Sequence, residues 1–158
     1  MEPRFNWFKA APAVPQALLK IQAVVNDSGL DHRMLELVKL RASQLNGCAY
    51  CIDMHTKDAR AAGETEQRLY LLSAWREAEH LYSEKERAAI RWTETITHIG
   101  DGHVPDDAYD MARAQFGEAD LVMLTFAIAT INRWNRMNCA FRTHAGDYRP
   151  GMFKVANG

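Results

Sequence analysis

The stretch Met34-Leu35-Glu36-Leu37-Val38-Lys39-Leu40-Arg41-Ala42-Ser43-Gln44-Leu45-Asn46-Gly47-Cys48-Ala49-Tyr50-Cys51-Ile52-Asp53-Met54-His55 carries more structural information than any other part of the sequence. Met34, Leu37, Val38 and Leu45 recur at the spacing of one helix face. Gly47 then interrupts, at the place where a left-handed residue usually closes a helix, and a second helix-length segment begins at Cys48. The reading is helix, tight turn, helix.

The same punctuation extends outward. Gly29, Gly63 and Gly117 also follow helix-length segments and read as C-terminal stops. Leu18, Ile21 and Val25 form one apolar stripe, and Ala89, Trp92 and Ile96 another, the latter behind a capping-box start at Ser83-Glu84-Lys85-Glu86. From Leu121 the chain is apolar almost all round and runs on through Asn132-Arg133-Trp134-Asn135-Arg136, which predicts a long helix buried in its first half. No stretch alternates as a strand would. The expectation is an all-α, single-domain chain over 1–158, a bundle of about seven helices near 16–28, 31–46, 48–62, 65–78, 83–98, 105–115 and 118–144.

Composition narrows the function. The 158 residues carry 19 Lys+Arg and 20 Asp+Glu, a net charge of −1 that lacks the basic footprint of a nucleic-acid binder. A chain of this length buries roughly 70% of the surface it exposes when unfolded, so it needs no disulfide scaffold. The start of the chain has no apolar signal-peptide core, and the longest mostly apolar run, Leu121 to Ile131, is far short of a membrane span. These features predict a cytoplasmic protein without membrane or nucleic-acid partners. In a reducing compartment, a Cys-x-x-Cys such as Cys48 and Cys51 cycles between dithiol and disulfide or holds a metal.

On a helix starting near Cys48, the side chains of Cys48, Cys51 and His55 share a face. The first helical turn favours negative charge, which lowers a thiol pKa and raises its thiolate fraction. His55, four residues after Cys51, is placed to hydrogen-bond that sulfur and exchange its proton. Glu36, flanked by Leu35 and Leu37, reads either as a partly buried carboxylate with a pKa raised toward that of a general base, or as a surface pair with Lys39. Three chemistries remain open for the cysteines: redox cycling, a structural zinc on Cys48, Cys51, His55 and a fourth ligand such as Cys139, or plain packing. Cys139, among Met137, Ala140 and Phe141, reads as a core thiol. Arg133, Arg136 and Arg142 are expected to pair with carboxylates, and His32, His80, His98, His103 and His144 receive no role.

The spacing of Glu36, Cys48, Cys51 and His55 resembles the Glu-x11-Cys-x2-Cys-x3-His signature of the AhpD-like alkylhydroperoxidases of the carboxymuconolactone decarboxylase superfamily. The text around Leu35-Glu36-Leu37-Val38, Arg41 to Cys48, Met54-His55-Thr56 and Ile131 to Arg136 is similar too. The resemblance implies a helical fold assembled into homo-oligomers, trimers or hexamers, with thiol-dependent peroxidase activity. It implies Cys51 as the thiol that attacks a hydroperoxide, Cys48 as the resolving thiol, and Glu36 and His55 as the proton relay. It further implies an external dithiol reductant, which in this family includes lipoyl-bearing proteins, and no cofactor. Some members place a second histidine between the cysteines, where this chain has Ala49 and Tyr50. The alternatives are a thiol–disulfide oxidoreductase and a zinc-stabilised helical interaction module.

Overall fold

The computed structural model describes residues 1–153, which contain eight α-helices and, among the described residues, no strand. The helices are α1 (Trp7–Ala10), α2 (Ala13–Asn26), α3 (His32–Leu45), α4 (Ala49–Ala61), α5 (Glu66–Leu71), α6 (Glu84–Thr97), α7 (Asp106–Gln115) and α8 (Glu118–Phe141). The all-α expectation holds, with one-turn α1 in addition to the anticipated set.

Helix α3 is the centre of the bundle and packs on α4, α6 and α8. Every residue from Met34 to Leu40 is buried, the charged Glu36 and Lys39 included, so this helix has no solvent face along that stretch. Met34 and Val38 pack with Trp92, Phe116, Leu124 and Ile128, whereas Leu37 and Leu40 pack with Ala59, Leu72, Trp75 and Ile90. Full burial of one Leu side chain stabilises by about 1.5–3 kcal/mol, so these clusters fix α3 against three neighbours.

Local chemistry accounts for most boundaries. Asp31 caps α3 by accepting from Met34 N, and the Ser83–Glu86 capping box of α6 forms in both directions. Helix α2 starts at Ala13, earlier than expected, because Pro15 falls in the first turn, where the missing N–H has no intrahelical partner to lose.

Three expectations need correction. The segment near 65–78 is not one helix: after α5 the chain tightens into a 3-10 turn at Leu72–Ala74, and both Leu72 and Trp75 become buried. Gly117 is not a helix stop but the N-cap of α8, with extended backbone. Helix α8 ends at Phe141, where Arg142 turns left-handed (φ 56°), and its buried stripe is not confined to its first half. That stripe continues to the far end as Asn132, Asn135 and Asn138.

Candidate active site

The turn between α3 and α4 places the cysteines. Gly47 adopts φ +63°, its N–H donates to Gln44 O at 3.2 Å, and Cys48 N–H donates to Ser43 O at 3.0 Å. These two bonds make a Schellman closure of α3. A Cβ on Gly47 would meet no atom within 4 Å, so glycine is needed here for its backbone angle rather than for space. Cys48 leaves this closure directly as the N-cap of α4, and Cys51 sits in the first turn, as the spacing predicts. The two sulfurs are bonded as a disulfide with a Cα–Cα distance of 5.3 Å, and each residue is 2% exposed.

His55 lies one turn further along α4, and its Nδ1 is 2.9 Å from Glu36 Oε2 on α3. Glu36 is 2% exposed, and Lys39 Nζ donates to its Oε1 at 2.8 Å. The Glu36–Lys39 pair expected from the sequence therefore exists, but in the interior. The expected rise in the Glu36 pKa is reversed. Burial alone pushes this carboxyl up, but the charge and hydrogen bonds of His55 and Lys39 outweigh it and hold the pKa at about 2. Near neutrality Glu36 is thus a carboxylate that accepts only, so His55 Nδ1 carries a hydrogen and Nε2 is the ring nitrogen left for proton exchange. The exposed His32 approaches the same carboxylate, with Nε2 3.8 Å from Oε1.

The hydrogen bond to Cys51 Sγ comes from a residue the sequence reading passed over. Asn138 on α8 donates through Nδ2 at 3.5 Å, whereas His55 is turned onto Glu36. The available signal was the spacing of Asn132, Asn135 and Asn138, which continues the buried stripe of α8. Asn132 and Asn135 both accept from Asn46 Nδ2, at 2.8 and 3.0 Å, and Asn135 donates to Ser43 Oγ at 3.0 Å. This network ties the end of α3 and its C-cap Asn46 to α8.

A second carboxylate, Asp58 on α4, completes the surroundings. Ligand atoms of Glu36, His55 and Asp58 lie within 4.8 Å of one another, the arrangement closest to a metal-binding set among the described residues. Both of its carboxylates are hydrogen-bonded within the protein, Glu36 by Lys39 and Asp58 by the Tyr148 hydroxyl at 2.8 and 2.9 Å. The cysteines are not part of this group. Cys139 is exposed and its thiol points to Asn46 O at 3.8 Å, so it is neither the expected core thiol nor a fourth zinc ligand beside Cys48, Cys51 and His55. Partial burial without a charged partner pushes the Cys139 thiol pKa up, away from reactivity. Of the arginines expected to meet carboxylates, Arg136 donates instead to Asn132 O and Oδ1.

The arrangement can perform dithiol chemistry: two sulfurs at a helix N-terminus, an imidazole with one free nitrogen, and a carboxylate fixing the imidazole. Comparisons with known proteins identify the family. The model of the carboxymuconolactone decarboxylase family matches residues 12–95, just over half of the chain. The uncharacterised protein YdfG of Bacillus subtilis (strain 168) is 41% identical over 145 residues, covering 92% of this chain and 98% of that protein. A crystal structure of a protein of unknown function from Agrobacterium tumefaciens, provisionally assigned to antioxidant defence as AhpD, superposes with a TM-score of 0.89 at 42% identity, covering 93% of this chain and all of that one. An uncharacterised peroxidase-related protein from Ralstonia eutropha JMP134, described as an alkylhydroperoxidase AhpD core, shares the fold at 18% identity with a TM-score of 0.75, over 89% of this chain and 74% of that one. With the helical architecture and the Glu36, Cys48, Cys51, His55 spacing in place, these likenesses establish that the chain belongs to the carboxymuconolactone decarboxylase family as an AhpD-like member.

Proposed function

We propose that this chain is a thiol-dependent peroxidase that reduces hydrogen peroxide or organic hydroperoxides by cycling Cys48 and Cys51 between dithiol and disulfide. The observation that carries the reading is the Cys48–Cys51 bond at the N-terminus of α4 with the buried Glu36–His55 pair on the same face. An external dithiol opens the disulfide by exchange. Cys51 thiolate then attacks the outer oxygen of the hydroperoxide: the S–O bond forms, the O–O bond breaks, and the leaving oxygen takes a proton supplied through His55. Cys48 attacks the resulting sulfenic acid, the disulfide returns and water leaves. Glu36 does not itself move the proton. It keeps His55 in the tautomer with Nε2 available and stabilises the imidazolium.

Both sulfurs are nearly enclosed, which suits a small peroxide and a slender reductant such as a lipoyl arm better than the bulky substrate of a general thiol–disulfide oxidoreductase. The same reading assigns homo-oligomeric assembly, as trimers or hexamers, and a cytoplasmic setting. The test is peroxide consumption with a dithiol reductant. Cys51→Ser abolishes turnover, and Cys48→Ser completes one reaction per chain and stops as the sulfenic acid. Undiminished steady-state turnover in Cys51→Ser would overturn the reading.

A further inference from the structure

The three buried asparagines of α8 differ in one respect. Both ends of the Asn132 amide are engaged, with Nδ2 donating to Thr97 Oγ1 at 3.1 Å and Ile128 O at 2.9 Å while Oδ1 accepts from Asn46. The Asn135 amide is likewise engaged at both ends, by Asn46 and Ser43. Asn138 is 4% exposed, its Nδ2 meets Cys51 Sγ, and its Oδ1 is buried without a hydrogen-bond partner. A disulfide sulfur carries no hydrogen, so only the N–H end of an amide can bond to it, and the carbonyl end is left over. Both atoms belong to one planar group, so the orphan acceptor stands beside the reacting sulfur. A buried acceptor left unpaired is unfavourable.

We propose that Asn138 is a catalytic residue of the thiol site: its Nδ2–H holds the Cys51 sulfur, and its Oδ1 receives the O–H of the incoming hydroperoxide. The inference rests on the peroxidase reading above. The hydrogen held by Oδ1 sits on the oxygen that Cys51 attacks. As the S–O bond forms and the O–O bond breaks, sulfur loses two electrons to the peroxide, and the leaving alkoxide or hydroxide is protonated through His55. The attacked oxygen keeps its own hydrogen throughout, so Oδ1 accepts the same hydrogen from the hydroperoxide and then from the sulfenic acid. Substrates are therefore selected by a terminal O–H, the group common to hydrogen peroxide and organic hydroperoxides.

The test compares two electrophiles on reduced full-length protein carrying Cys48→Ser and Cys139→Ser, so that Cys51 is the single thiol. Hydrogen peroxide brings an O–H to Oδ1, and iodomethane alkylates the same thiolate without any hydrogen-bond donor. In Asn138→Ala both rates fall, because the thiolate loses its donor. The peroxide rate falls about tenfold further at equal thiolate fraction, the worth of one lost hydrogen bond. Asn138→Asp, close in shape, keeps an acceptor but puts charge beside the sulfur, so the pH midpoint of alkylation moves up while the ratio of the two rates stays near the parent value. Equal losses for both electrophiles in Asn138→Ala, or no loss in either, overturn the role of Asn138 while leaving the peroxidase reading intact. A parent protein whose Cys51 reacts with hydrogen peroxide no faster than free cysteine overturns both.

Discussion

Glu36 on α3 and Glu94 on α6 are both carboxylates held in the charged form within the bundle, yet their partners differ. Glu94 accepts from Arg41 Nε at 2.8 Å and Trp75 Nε1 at 2.9 Å and is also bonded by Arg76. Burial pushes its pKa up, but the hydrogen bonds from Arg76, Trp75 and Arg41 bring it below the usual carboxylate range. Its charged partners are guanidinium groups that never release a proton at ordinary pH. Glu36 is more deeply buried and is held by Lys39 and His55, and an imidazole, unlike a guanidinium, has a ring nitrogen that can take up and give back a proton. A buried, depressed carboxylate is therefore not by itself a mark of catalysis. The difference lies in whether its partner can pass a proton and whether that partner shares a helix face with a reactive group, as His55 does with Cys51.

The largest expected effect that would separate the two residues is kinetic. Glu36→Gln should lower peroxide turnover by about a thousandfold, within the span of general acid–base contributions, through loss of the His55 tautomer and its imidazolium partner. Turnover within a few-fold of wild type would place Glu36 beside Glu94 as a structural clamp. Because its pKa lies at about 2, Glu36 should also give no limb to the activity profile near neutrality.

Next in size is acid stability. The folded pKa of Glu36 is depressed from 4.5 to about 2, so its contribution is present above the unfolded pKa and is lost as pH falls through the folded one. The linked free energy is about 3 kcal/mol, withdrawn between about pH 4.5 and pH 2. Urea unfolding along that range should show wild type losing this increment and Glu36→Gln not losing it; parallel curves would refute the linkage.

Glu94→Gln should be smaller in stability and silent in chemistry. Weakening two Arg contacts while keeping the Trp75 bond should cost about 1–2 kcal/mol in urea unfolding, with turnover unchanged. A large fall in turnover would erase the distinction between the carboxylates. The smallest effect concerns the segment that folds back over α4. Lys57 Nζ donates to Gly146 O and Tyr148 O, and the Tyr148 hydroxyl lies on Asp58. Burial raises the Asp58 pKa and the Tyr148 bond opposes that rise, so Tyr148→Phe should cost about 1 kcal/mol. An unchanged urea midpoint would show that this contact contributes nothing to stability.

Features carried by neighbours in sequence were legible before folding was considered. The Gly47 stop, the Ser83–Glu86 box and the placement of Cys48 and Cys51 at a helix start depend on residues a few positions apart, and all three are present. The long run after Leu121 was readable as a helix but not for which side faces inward, because its second half carries its buried stripe on asparagines. Those asparagines look like surface residues until Ser43 on α3, its C-cap Asn46 and Cys51 on α4 are placed opposite them.

The sequence by itself determined the helical class, the turn that presents the cysteines, and the shared face of Cys48, Cys51 and His55, because caps and helix periodicity are local properties of the chain. Only the tertiary structure decided the charge state of Glu36, the exposure of Cys139 and the contact of Asn138 with Cys51. Ionisation depends on the balance between desolvation and partners brought from another helix, and Asn138 reaches a sulfur 87 residues earlier in the chain. No spacing rule sets that balance, because it exists only once α3, α4 and α8 exclude water together.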